Sequence, residues 1–544
     1  MYIKKIIIKN FKCFKDFSFE LNKHMNILVG DNNEGKSTIL EAIHLCLTGI
    51  FRGKYLRNNL TQDIFNNEIV NNYIEDVKIN KNVTLPEMLI ELYFEDADPI
   101  LNGMENSQNK NEACISLCVK FDTRYQEEYQ ILKEKEEIVT LPIEYYKIDW
   151  KNSADKDITA RTIPIKSILI DTSDANIRNG SDNCIARIVK DKLEEKEIID
   201  ISQAYRKIRD IFIKDSTIKS INTRLSEESH FLDNTIEIDV EMLNRNDWEK
   251  AIITKINEIP FDYIGKGEQA SLKIELSLTN KRAENSGVLL IEEPENHLTY
   301  AKLNKLINDI SKLGKEKQIF ITTHSSFVAN KLGIENLELL NNKLLTKFEN
   351  LTEDTRKFFI KKPGYDTLRF LLCKKAILAE GDADELIIQK AYFDKHKKLP
   401  IEDEIEVISV GTTFLRFLEL ADLLKKETVV VTDNDGDIEA LEKKYKNYIR
   451  LNQKEYVEIC YDKETHINQG TLKKNNGNFN YDTLEPCMVR ANNLKTLNKI
   501  LKQDFQTEDE LIKYMVNNKT ECALEIFESN ENINYPIYIE EAIK

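Results

Sequence analysis

The segment Gly30–Ser37 holds residue types at a spacing that suits phosphate binding. It reads Gly-Asp-Asn-Asn-Glu-Gly-Lys-Ser and fits the pattern G-x-x-x-x-G-K-[ST]. Its glycines let backbone N–H groups turn inward around phosphate oxygens. Lys36 can reach the β- and γ-phosphates, and Ser37 can ligate Mg²⁺. We therefore predict a nucleotide site formed by Gly30, Asn32, Asn33, Gly35, Lys36, Ser37 and Thr38.

Two acids and a histidine follow apolar strands later in the chain. The run Val288–Ile291 leads into Glu292 and Glu293, and Gln318–Thr322 is followed closely by His324. Beside a phosphate loop, Glu292 is expected to hold Mg²⁺ directly or through water, although Asp is usual there. Glu293 is expected to orient or deprotonate the attacking water, and His324 to sense the γ-phosphate.

A glycine-containing turn, Gly265-Lys266-Gly267-Glu268-Gln269, precedes a helical pattern. Glycines at a helix start can present N–H groups to the γ-phosphate of a nucleotide bound by a partner subunit. A plain helix-capping turn would have the same composition. The position of the turn shortly before the acidic strand favours the phosphate role for Gly265 and Gly267.

A second group of acids follows strands in the C-terminal region. Ala376–Ala379 is followed by Glu380, and Thr428–Thr432 is followed by Asp433 and Asp435. Ligand sites of parallel sheets form beyond the carboxyl ends of the strands, so these three acids are expected to converge. Carboxylates held together repel one another unless a cation lies between them. Hard oxygen ligands with open positions favour Mg²⁺ or Mn²⁺.

The composition around Asp433 is also typical of a calcium-binding loop or of a polar turn. A calcium-binding EF-hand loop starting at Asp433 needs glycine at its sixth position and glutamate at its twelfth. The chain has Ile438 and Lys444 there, which excludes that loop. A polar turn of solvated acids stays open as an alternative.

The elements that must position these residues alternate between strands and helices. The N-terminal part is predicted to contain strands at Ile3–Phe11, Asp16–Leu21, Met25–Val29, Leu89–Phe94, Ala113–Phe121 and Glu144–Ile148, with a helix at Ser37–Leu47. A charged helical stretch begins near residue 188; it is usually a solvated face, or else a dimer contact. From Lys374 a second alternation predicts strands at Ala376–Ala379, Ile405–Val410 and Thr428–Thr432, and helices at Ala383–Asp394 and Thr413–Leu424. Such alternation implies a mainly parallel sheet and a boundary near residue 365.

The order of the N-terminal motifs resembles that of ABC ATPases of the RecF and SMC type. Ile6–Phe14 resembles their opening hairpin, and Gly265–Gln269 takes the place of their signature motif, which acts in trans across a head-to-head dimer. The resemblance departs in two places. No Leu-Ser precedes the glycines, and the glutamine of the Q-loop is not identified, which puts vigorous ATP turnover in doubt but not ATP binding.

The C-terminal pattern of Glu380 with Asp433-x-Asp435 resembles a Toprim domain. Fused behind an ABC ATPase, it resembles the OLD (overcoming lysogenization defect) family, which includes the Gabija nuclease. This resemblance implies an ABC-type ATPase domain over 1–365, with a helical insertion at about 188–250 as a possible dimerisation element. It also implies a Toprim nuclease domain with a mainly parallel sheet over 366–544.

The same resemblance adds site residues to those found above. Asp384 takes the family's second acidic position, Thr483-Leu484-Glu485 its later acidic motif, and Lys519 its C-terminal lysine. It implies metal ligation by Ser37, Glu292, Glu380, Asp384, Asp433, Asp435 and Glu485. It also implies catalysis by Glu380, Asp433, Asp435 and Lys519, with Glu293 acting in the ATPase.

The resemblance implies an ATP-regulated, divalent-metal-dependent DNA endonuclease that uses ATP and Mg²⁺ or Mn²⁺. It further implies a homodimer or higher homo-oligomer in anti-phage defence, with a helicase or a reverse transcriptase as a possible partner. The alternative is a RecF- or SMC-like ATP-dependent DNA-binding or scaffold protein with an inactive Toprim domain. A topoisomerase or a primase would need a further domain for which the chain has no room.

Composition limits these functions only loosely. The chain has 77 Lys and Arg against 93 Asp and Glu, a net charge of −16, which argues against a surface coated for nucleic acid but allows a local basic groove. No stretch approaches the roughly 20 apolar residues of a membrane helix. We expect a cytoplasmic protein with no membrane partner. Its nine scattered cysteines are expected to be reduced and buried rather than a disulfide framework.

Overall fold

The computed structural model describes residues 1–79, 83–134, 138–171, 193–228, 237–238, 255–278, 287–313, 316–341, 343–348, 351–361, 365–466, 470–474 and 477–544. The chain divides into two compact units. The first contains Met1–His324 and Asn342–Leu345, and the second contains Ser325–Asn341 and Thr346–Lys544. The domain boundary expected near residue 365 stays a prediction.

The described strands are β1 (Tyr2–Phe11), β2 (Phe14–Glu20), β3 (Met25–Gly30), β4 (Ile50–Phe51), β5 (Lys54–Tyr55), β6 (Met88–Glu95), β7 (Asn102–Gly103), β8 (Glu112–Phe121), β9 (Tyr146–Asn152), β10 (Ser167–Asp171), β11 (Lys255–Ile256), β12 (Ile259–Pro260), β13 (Val288–Glu292), β14 (Gln318–Thr322), β15 (Leu337–Asn341), β16 (Leu344–Lys347), β17 (Lys375–Ala379), β18 (Ile405–Ser409), β19 (Glu427–Val431), β20 (Val457–Cys460), β21 (Lys473–Lys474) and β22 (Gly477–Asn478).

The described α-helices are α1 (Lys36–Thr48), α2 (Asn67–Ile79), α3 (Gln126–Glu134), α4 (Glu195–Lys214), α5 (Ser216–Glu228), α6 (Lys266–Leu278), α7 (Tyr300–Leu313), α8 (Ser326–Leu332), α9 (Glu353–Lys361), α10 (Tyr365–Leu372), α11 (Asp382–His396), α12 (Phe414–Leu424), α13 (Ile438–Lys444), α14 (Leu484–Ala491), α15 (Leu494–Leu501), α16 (Glu508–Asn517), α17 (Lys519–Glu528) and α18 (Ile537–Ala542).

The first unit contains an antiparallel sheet and a set of parallel strands. In the antiparallel sheet β1 lies between β2 and β6, β6 pairs with β8, and β7 and β9 both pair with β8. In the parallel set β13 lies between β10 and β14, and β14 pairs with β3. All six residues of β3 are buried. Strands covered on both faces read as unbroken apolar runs, which explains why β3, β13 and β14 are recognisable from sequence.

The second unit contains a four-stranded parallel sheet in the order β18-β17-β19-β20. Its core joins apolar residues of β17 and β19 to those of α11 and of the C-terminal helices, including Ile387, Met488, Leu511 and Ile526. The sheet therefore presents the carboxyl ends of its strands at one edge, with helices α14 to α18 following later in sequence.

Most predicted elements are confirmed, and the differences are local. The strand expected at Glu144–Ile148 starts at Tyr146, because Ile143–Tyr145 forms a 3₁₀ turn after Pro142. Of the expected insertion, 193–228 forms α4 and α5, whereas 188–192, 229–236 and 239–250 lie outside the described residues. The eight described cysteines are free, and Cys184 is outside that part of the chain. No described helix has the length and apolar character to cross a membrane.

Candidate functional site

The phosphate loop closes tightly against the first hairpin. Gly35 has φ 112°, and a Cβ there would lie 2.6 Å from Sγ of Cys13 and 2.7 Å from the ring of Phe14. Only glycine fits this conformation and this contact. The ammonium of Lys36 donates to the carbonyls of Gly30 and Asp31, both at 2.8 Å. The lysine therefore lies over the mouth of the loop, where phosphate oxygens could replace these carbonyls.

Two acids and a histidine gather beside Lys36. Ser37 donates its hydroxyl proton to Oε1 of Glu292. Glu293 accepts at Oε2 from Asn296 at 2.6 Å, and its Oε1 lies 3.4 Å from Nε2 of His324. Burial lowers the pKa of Lys36, partly opposed by the charge of Glu293 and its acidic neighbours. Lys36, Ser37, Glu292, Glu293 and His324, all predicted from sequence, thus lie in one cluster.

The protonation of His324 follows from its surroundings. Burial, and then the charge of Lys36, lower the pKa of His324 below its usual 6.5, although Glu293 and Glu295 oppose this. A neutral imidazole at pH 7 can accept or donate a single hydrogen bond at Nε2, as a γ-phosphate sensor requires.

Other residues in this region were not predicted. Glu295 accepts from Oγ1 of Thr323 at 2.6 Å and from the backbone N–H of His324 at 2.9 Å, so it fixes the segment that carries the histidine. Glu293 has φ 42° and donates its backbone N–H to Thr322 O at 3.0 Å. The only sequence signal for Glu295 is its place two residues after Glu293.

The turn that contains Gly265 and Gly267 packs against the loop after β13 and not against the Lys36 cluster. Gly267 lies in the first turn of α6, where a Cβ would come 2.1 Å from the carbonyl oxygen of His297. Around Gly265 a Cβ would meet nothing within 4 Å. The contacts that assemble the Lys36 cluster do not involve either glycine. Their proposed action on a partner's nucleotide stays a prediction.

The remaining loop residues differ in exposure. Asn32 and Asn33 are exposed. Thr38 is buried and accepts from Sγ of Cys13 at 3.6 Å, which makes it part of the packing under the loop. A nucleotide contact by Asn32, Asn33 or Thr38 stays a prediction.

In the second unit, parallel register brings the predicted acids to one edge of the sheet. Leu378 of β17 pairs with Val430 of β19, so Glu380 and Asp433 emerge beside each other after the two strands end. Burial, and then the charge of Asp435, raise the pKa of Glu380, against the opposing charges of Lys444 and Lys519.

Asp433 is at the centre of the group. Burial raises the pKa of Asp433 well above its usual value, and the charges of Asp384, Glu380, Glu485 and Asp435 raise it further. Part of its surface still reaches solvent, although protein atoms surround most of the carboxyl. The charges of these five acids therefore act on Asp433 together. Convergence at strand ends was predicted for Glu380, Asp433 and Asp435, whereas Asp384 and Glu485 lie on helices, and a metal role for any of them stays a prediction.

Asp384 also has a structural contact. Its Oδ2 accepts from the backbone N–H of Gly381 at 3.0 Å, at the start of α11. Burial, and then the charges of Glu485 and Glu380, raise the pKa of Asp384 to about 6. The carboxylate thus accepts a hydrogen bond from the backbone at the start of α11, and it also lies within range of the charges of Glu485 and Glu380.

A lysine from the C-terminal helices faces the same acids. Nζ of Lys519, the first residue of α17, lies 3.0 Å from Oε1 of Glu485, which is buried in the first turn of α14. Burial would lower the pKa of Lys519, but Glu485, Asp433 and Asp384 raise it overall. The family-based expectation that Glu485 and Lys519 belong with the strand-end acids has this geometry in its favour.

Two asparagines that the sequence analysis missed hold the Asp433–Asp435 turn. The amide of Asn434, 2% exposed, donates to Asp462 O at 2.7 Å and Glu464 O at 2.8 Å. Its Oδ1 accepts from the N–H of Gly436 at 2.8 Å. Asn480 donates to Oδ1 of Asp435 at 3.0 Å. Asp435 has φ 52°, and Asn-Asp-Gly composition was the available signal for such a turn.

The donor chemistry fits a hard divalent cation. Every candidate ligand in this group is a carboxylate, and the buried Glu485 presents its Oε1 to the ammonium of Lys519 at 3.0 Å. Among the described residues, however, no three Asp, Glu, His or Cys side chains are placed to hold one ion together. Mg²⁺ keeps several waters and needs only one or two direct carboxylates. The group suits a hydrated ion better than a closed protein cage.

Comparison with curated proteins finds partial relatives. The DNA replication and repair protein RecF of Acetivibrio thermocellus is 45% identical over 49 residues, which are 9% of this chain and 13% of that protein. An ATP/GTP phosphatase of Helicobacter pylori is 24% identical over 377 residues, 66% of this chain and 92% of that protein. The chain thus matches only a small part of the RecF relative.

Among solved structures, an SMC head bound to the C-terminal winged-helix domain of ScpA is similar. It has 17% sequence identity and a TM-score of 0.33, and the match covers 63% of this chain and 97% of that chain.

Family models match both parts of the chain in order. The AAA ATPase domain model matches residues 1–329, more than half of the chain. The model described as overcoming lysogenization defect protein-like, TOPRIM domain, matches residues 371–435, the stretch from before β17 to Asp435. The chain therefore belongs to the AAA ATPase domain family and carries an OLD-like Toprim domain behind it, the domain arrangement of the OLD family.

Proposed function

We propose that this protein is an ATP-regulated, divalent-metal-dependent DNA endonuclease. The observation that carries the proposal is the gathering of five acids, centred on Asp433, opposite Lys519. Five carboxylates opposed by the charges of only Lys444 and Lys519 among the described residues that act on Glu380 are costly to bring together without a cation. The order of an ATPase domain and an OLD-like Toprim domain supports the same class of activity.

DNA is proposed as the substrate on the strength of the relatives. RecF is a DNA replication and repair protein by its name, and the match to it lies in a short segment of this chain. A role in anti-phage defence, a homodimer or higher homo-oligomer, and a helicase or reverse transcriptase partner follow only from the resemblance to the OLD family. The cytoplasmic setting is proposed from the composition of the chain, and the action of Gly265 and Gly267 across two subunits from the resemblance to ATPases of the RecF and SMC type.

The proposed reaction is hydrolysis of a phosphodiester bond. Glu380, Asp433 and Asp435, assisted by Asp384 and Glu485, would hold Mg²⁺ or Mn²⁺ beside the scissile phosphate. The bound metal supplies an activated water and stabilises the leaving 3′ oxygen. Lys519, with its raised pKa, stays charged and would offset the charge that develops on the phosphate. Release of Lys519 from Glu485 would accompany substrate binding.

ATP is proposed to act as a conformational ligand. Lys36 and Ser37 would bind the phosphates and Mg²⁺, Glu292 would complete the metal site, and Glu293 would orient the hydrolytic water. A nucleotide that binds one conformation more tightly than another shifts the population toward it. The chain can therefore couple nucleotide occupancy to cleavage without ATP entering the cleavage chemistry.

One observation favours a second candidate function. The lack, across the described residues, of three side chains placed around one ion is also what an inactive Toprim domain would present. The chain would then be an ATP-dependent DNA-binding or scaffold protein of the RecF or SMC type. The two candidates make opposite predictions for metal-dependent nicking.

Plasmid nicking in Mn²⁺ or Mg²⁺, with and without ATP, separates them. We expect wild type to nick and Asp435→Asn to lose activity while it retains ATP binding, because the carboxamide cannot carry the ligand's charge. The matched control is Glu439→Gln, which neutralises an exposed acid four residues further along the chain, on α13. It should behave like wild type. Full nicking by Asp435→Asn would refute the assignment, and absence of nicking in wild type would favour the scaffold.

The same assay with Lys36→Ala tests whether ATP regulates nicking through the phosphate loop. Removing the ammonium that spans Gly30 and Asp31 should abolish the effect of ATP on nicking, whichever its sign, and leave ATP-free nicking unchanged. An unchanged ATP response in this variant would exclude regulation through the Gly30–Ser37 loop.

A further inference from the structure

A pocket of about 560 Å³ opens in the first unit, away from the residues of the Lys36 cluster. Its lining includes Leu56, Leu117, Ile148 and Ile158 as an apolar floor, and the indole of Trp150. This volume lies within the usual range of roughly 300–1,000 Å³ for small-ligand sites. The floor and the indole suit a flat, apolar-faced group such as a nucleobase, with room left for the chain on either side of it.

Trp150 is held rigidly in the pocket. Its Nε1 donates to Cys46 O at 3.0 Å. A Cβ at Gly49, which has φ 69°, would lie 3.0 Å from the indole ring, so the ring packs directly on this backbone. An aromatic side chain that is already fixed loses little entropy when a ligand stacks on it. Trp150 is therefore a preorganised stacking surface.

Two arginines lie in the lining, and no acid accompanies them. Arg57 and Arg161 are both exposed, and neither forms an ion pair with any residue that the structure describes. The pocket lining contains no Asp or Glu. In a chain of net charge −16, an acid-free pocket with two uncompensated guanidiniums is a local reversal of the average charge. It favours an anionic ligand.

The turn that carries Arg161 is reinforced from behind. The ammonium of Lys166 donates to the carbonyls of Ala160, Ile163 (2.6 Å) and Arg161 (3.4 Å). Burial lowers the pKa of Lys166. Lys166 thus fixes the turn that carries Arg161.

The other arginine also lies on a fixed turn. Leu56 donates its backbone N–H to Gly49 O at 3.0 Å, and the amide of Asn59 donates to Tyr55 O at 3.2 Å. Tyr55, in the same lining, is 62% exposed and offers a second aromatic ring. The end of α1 at Gly49 is the negative end of that helix, but its partial charge is smaller than the two guanidinium charges.

We propose that this pocket binds one unpaired base of single-stranded DNA, which stacks on Trp150 while Arg57 and Arg161 bind the flanking phosphates. Binding of single strands commonly combines aromatic stacking with a positively charged track for the backbone. Two guanidiniums on separate turns supply one cation for each of the two phosphates that flank a base in a strand, whereas a nucleoside monophosphate has only one phosphate. A duplex keeps its bases stacked and cannot place one on Trp150. The assignment does not depend on nuclease activity.

The fluorescence of Trp150 can report binding directly, so this residue is not substituted in the test. The chain has two tryptophans, and Trp248→Phe leaves Trp150 as the only one. In EDTA without ATP, which prevents cleavage, a dT12 oligonucleotide should quench Trp150 emission saturably. The double variant Arg57→Ala, Arg161→Ala should bind dT12 about tenfold or more weakly, because charge-assisted bonds to phosphate are lost. Arg206→Ala, which removes an exposed arginine from α4, is the matched control and should leave the affinity unchanged.

Salt dependence separates phosphate contact from a structural effect. Loss of two phosphate contacts should reduce the slope of log K against log salt by about 1.4, since each contributes about 0.7 on single strands. An unquenched Trp150, equal binding of dTMP and dT12, or equal binding of a blunt duplex would each overturn the proposal. Equal binding of dTMP would identify a free-nucleotide site instead. Because the assay excludes metal, a failed nicking test would not affect its result.

Discussion

Asn434 connects more of the carboxylate site than its neutral side chain suggests. Its amide group joins the turn after β19 to the carbonyls of Asp462 and Glu464, and its carbonyl binds the N–H of Gly436. Asp435 adopts a left-handed conformation beside it. We infer that Asn434 holds Asp433 and Asp435 at the sheet edge without contacting a ligand itself.

The variant Asn434→Ala tests this role. It removes the two hydrogen bonds that the buried amide donates to the carbonyls of Asp462 and Glu464, so the free energy of unfolding should fall by about 1–3 kcal/mol. The affinity for Mn²⁺, measured by calorimetry, should fall as well, because the acidic turn is no longer fixed. Urea unfolding measures the first effect. Asn452→Ala, which removes an exposed amide bonded to Lys446 O, is the control and should change both quantities little.

A stability loss without any change in Mn²⁺ affinity would contradict the positioning role. Asn434 would then stabilise the turn only as a packing element. Loss of Mn²⁺ affinity without loss of stability would instead indicate that the amide contacts the ion or its water.

The start of helix α6 provides a matched pair of glycines. A Cβ at Gly267 would collide with His297 O at 2.1 Å, whereas a Cβ at Gly265, two residues earlier, would enter open space. A backbone carbonyl cannot move aside as a flexible side chain does. Gly267 is therefore required for the contact between α6 and the loop that follows β13.

We expect Gly267→Ala to lower the free energy of unfolding by about 1–3 kcal/mol, the usual cost of overpacking. Gly265→Ala should leave it within about 0.5 kcal/mol. Thermal unfolding of both variants checks the difference. If Gly265→Ala nevertheless reduces ATP turnover at full stability, the phosphate role predicted from its position gains support. Equal stability of the two variants would mean that α6 adjusts to the added methyl group.

Local patterns explain how much of these elements could be predicted. Strands β13 and β19 are apolar runs that end in acids, so both their position and their carboxyl-end residues are readable. The pairing of Glu485 with Lys519 is not, because it joins α14 to α17 and depends on how the helices pack. The hydrogen bond from Gly381 to Asp384 could not be predicted either, since an acid three residues into a helix serves equally as cap or ligand.

For the whole chain, the acidic excess is not spread evenly over the surface. Five acids interact around Asp433, and their mutual repulsion is a cost that the folded protein carries when no cation is present. Sites that bind ligands commonly sacrifice stability in this way. The pocket of the first unit that is lined by Trp150, Arg57 and Arg161 has the opposite charge, because its lining contains two arginines and no Asp or Glu. Local charge, rather than net charge, is therefore the basis on which we propose a ligand for each region.

This charge distribution predicts how metal affects stability. If Mn²⁺ binds the folded acids as proposed, and not the unfolded chain, then at 100 times its dissociation constant it should add about 2.7 kcal/mol to the free energy of unfolding. Asp433→Asn should be more stable than wild type without metal, by about 1 kcal/mol, because one repelling charge is gone. The same variant should lose the response to Mn²⁺.

Glu427→Gln, at the exposed amino end of the same strand, is the control and should keep the response to Mn²⁺. Calorimetric unfolding with and without Mn²⁺ measures all three, and an undiminished Mn²⁺ response in Asp433→Asn would exclude Asp433 as a metal ligand, whatever the activity of the protein.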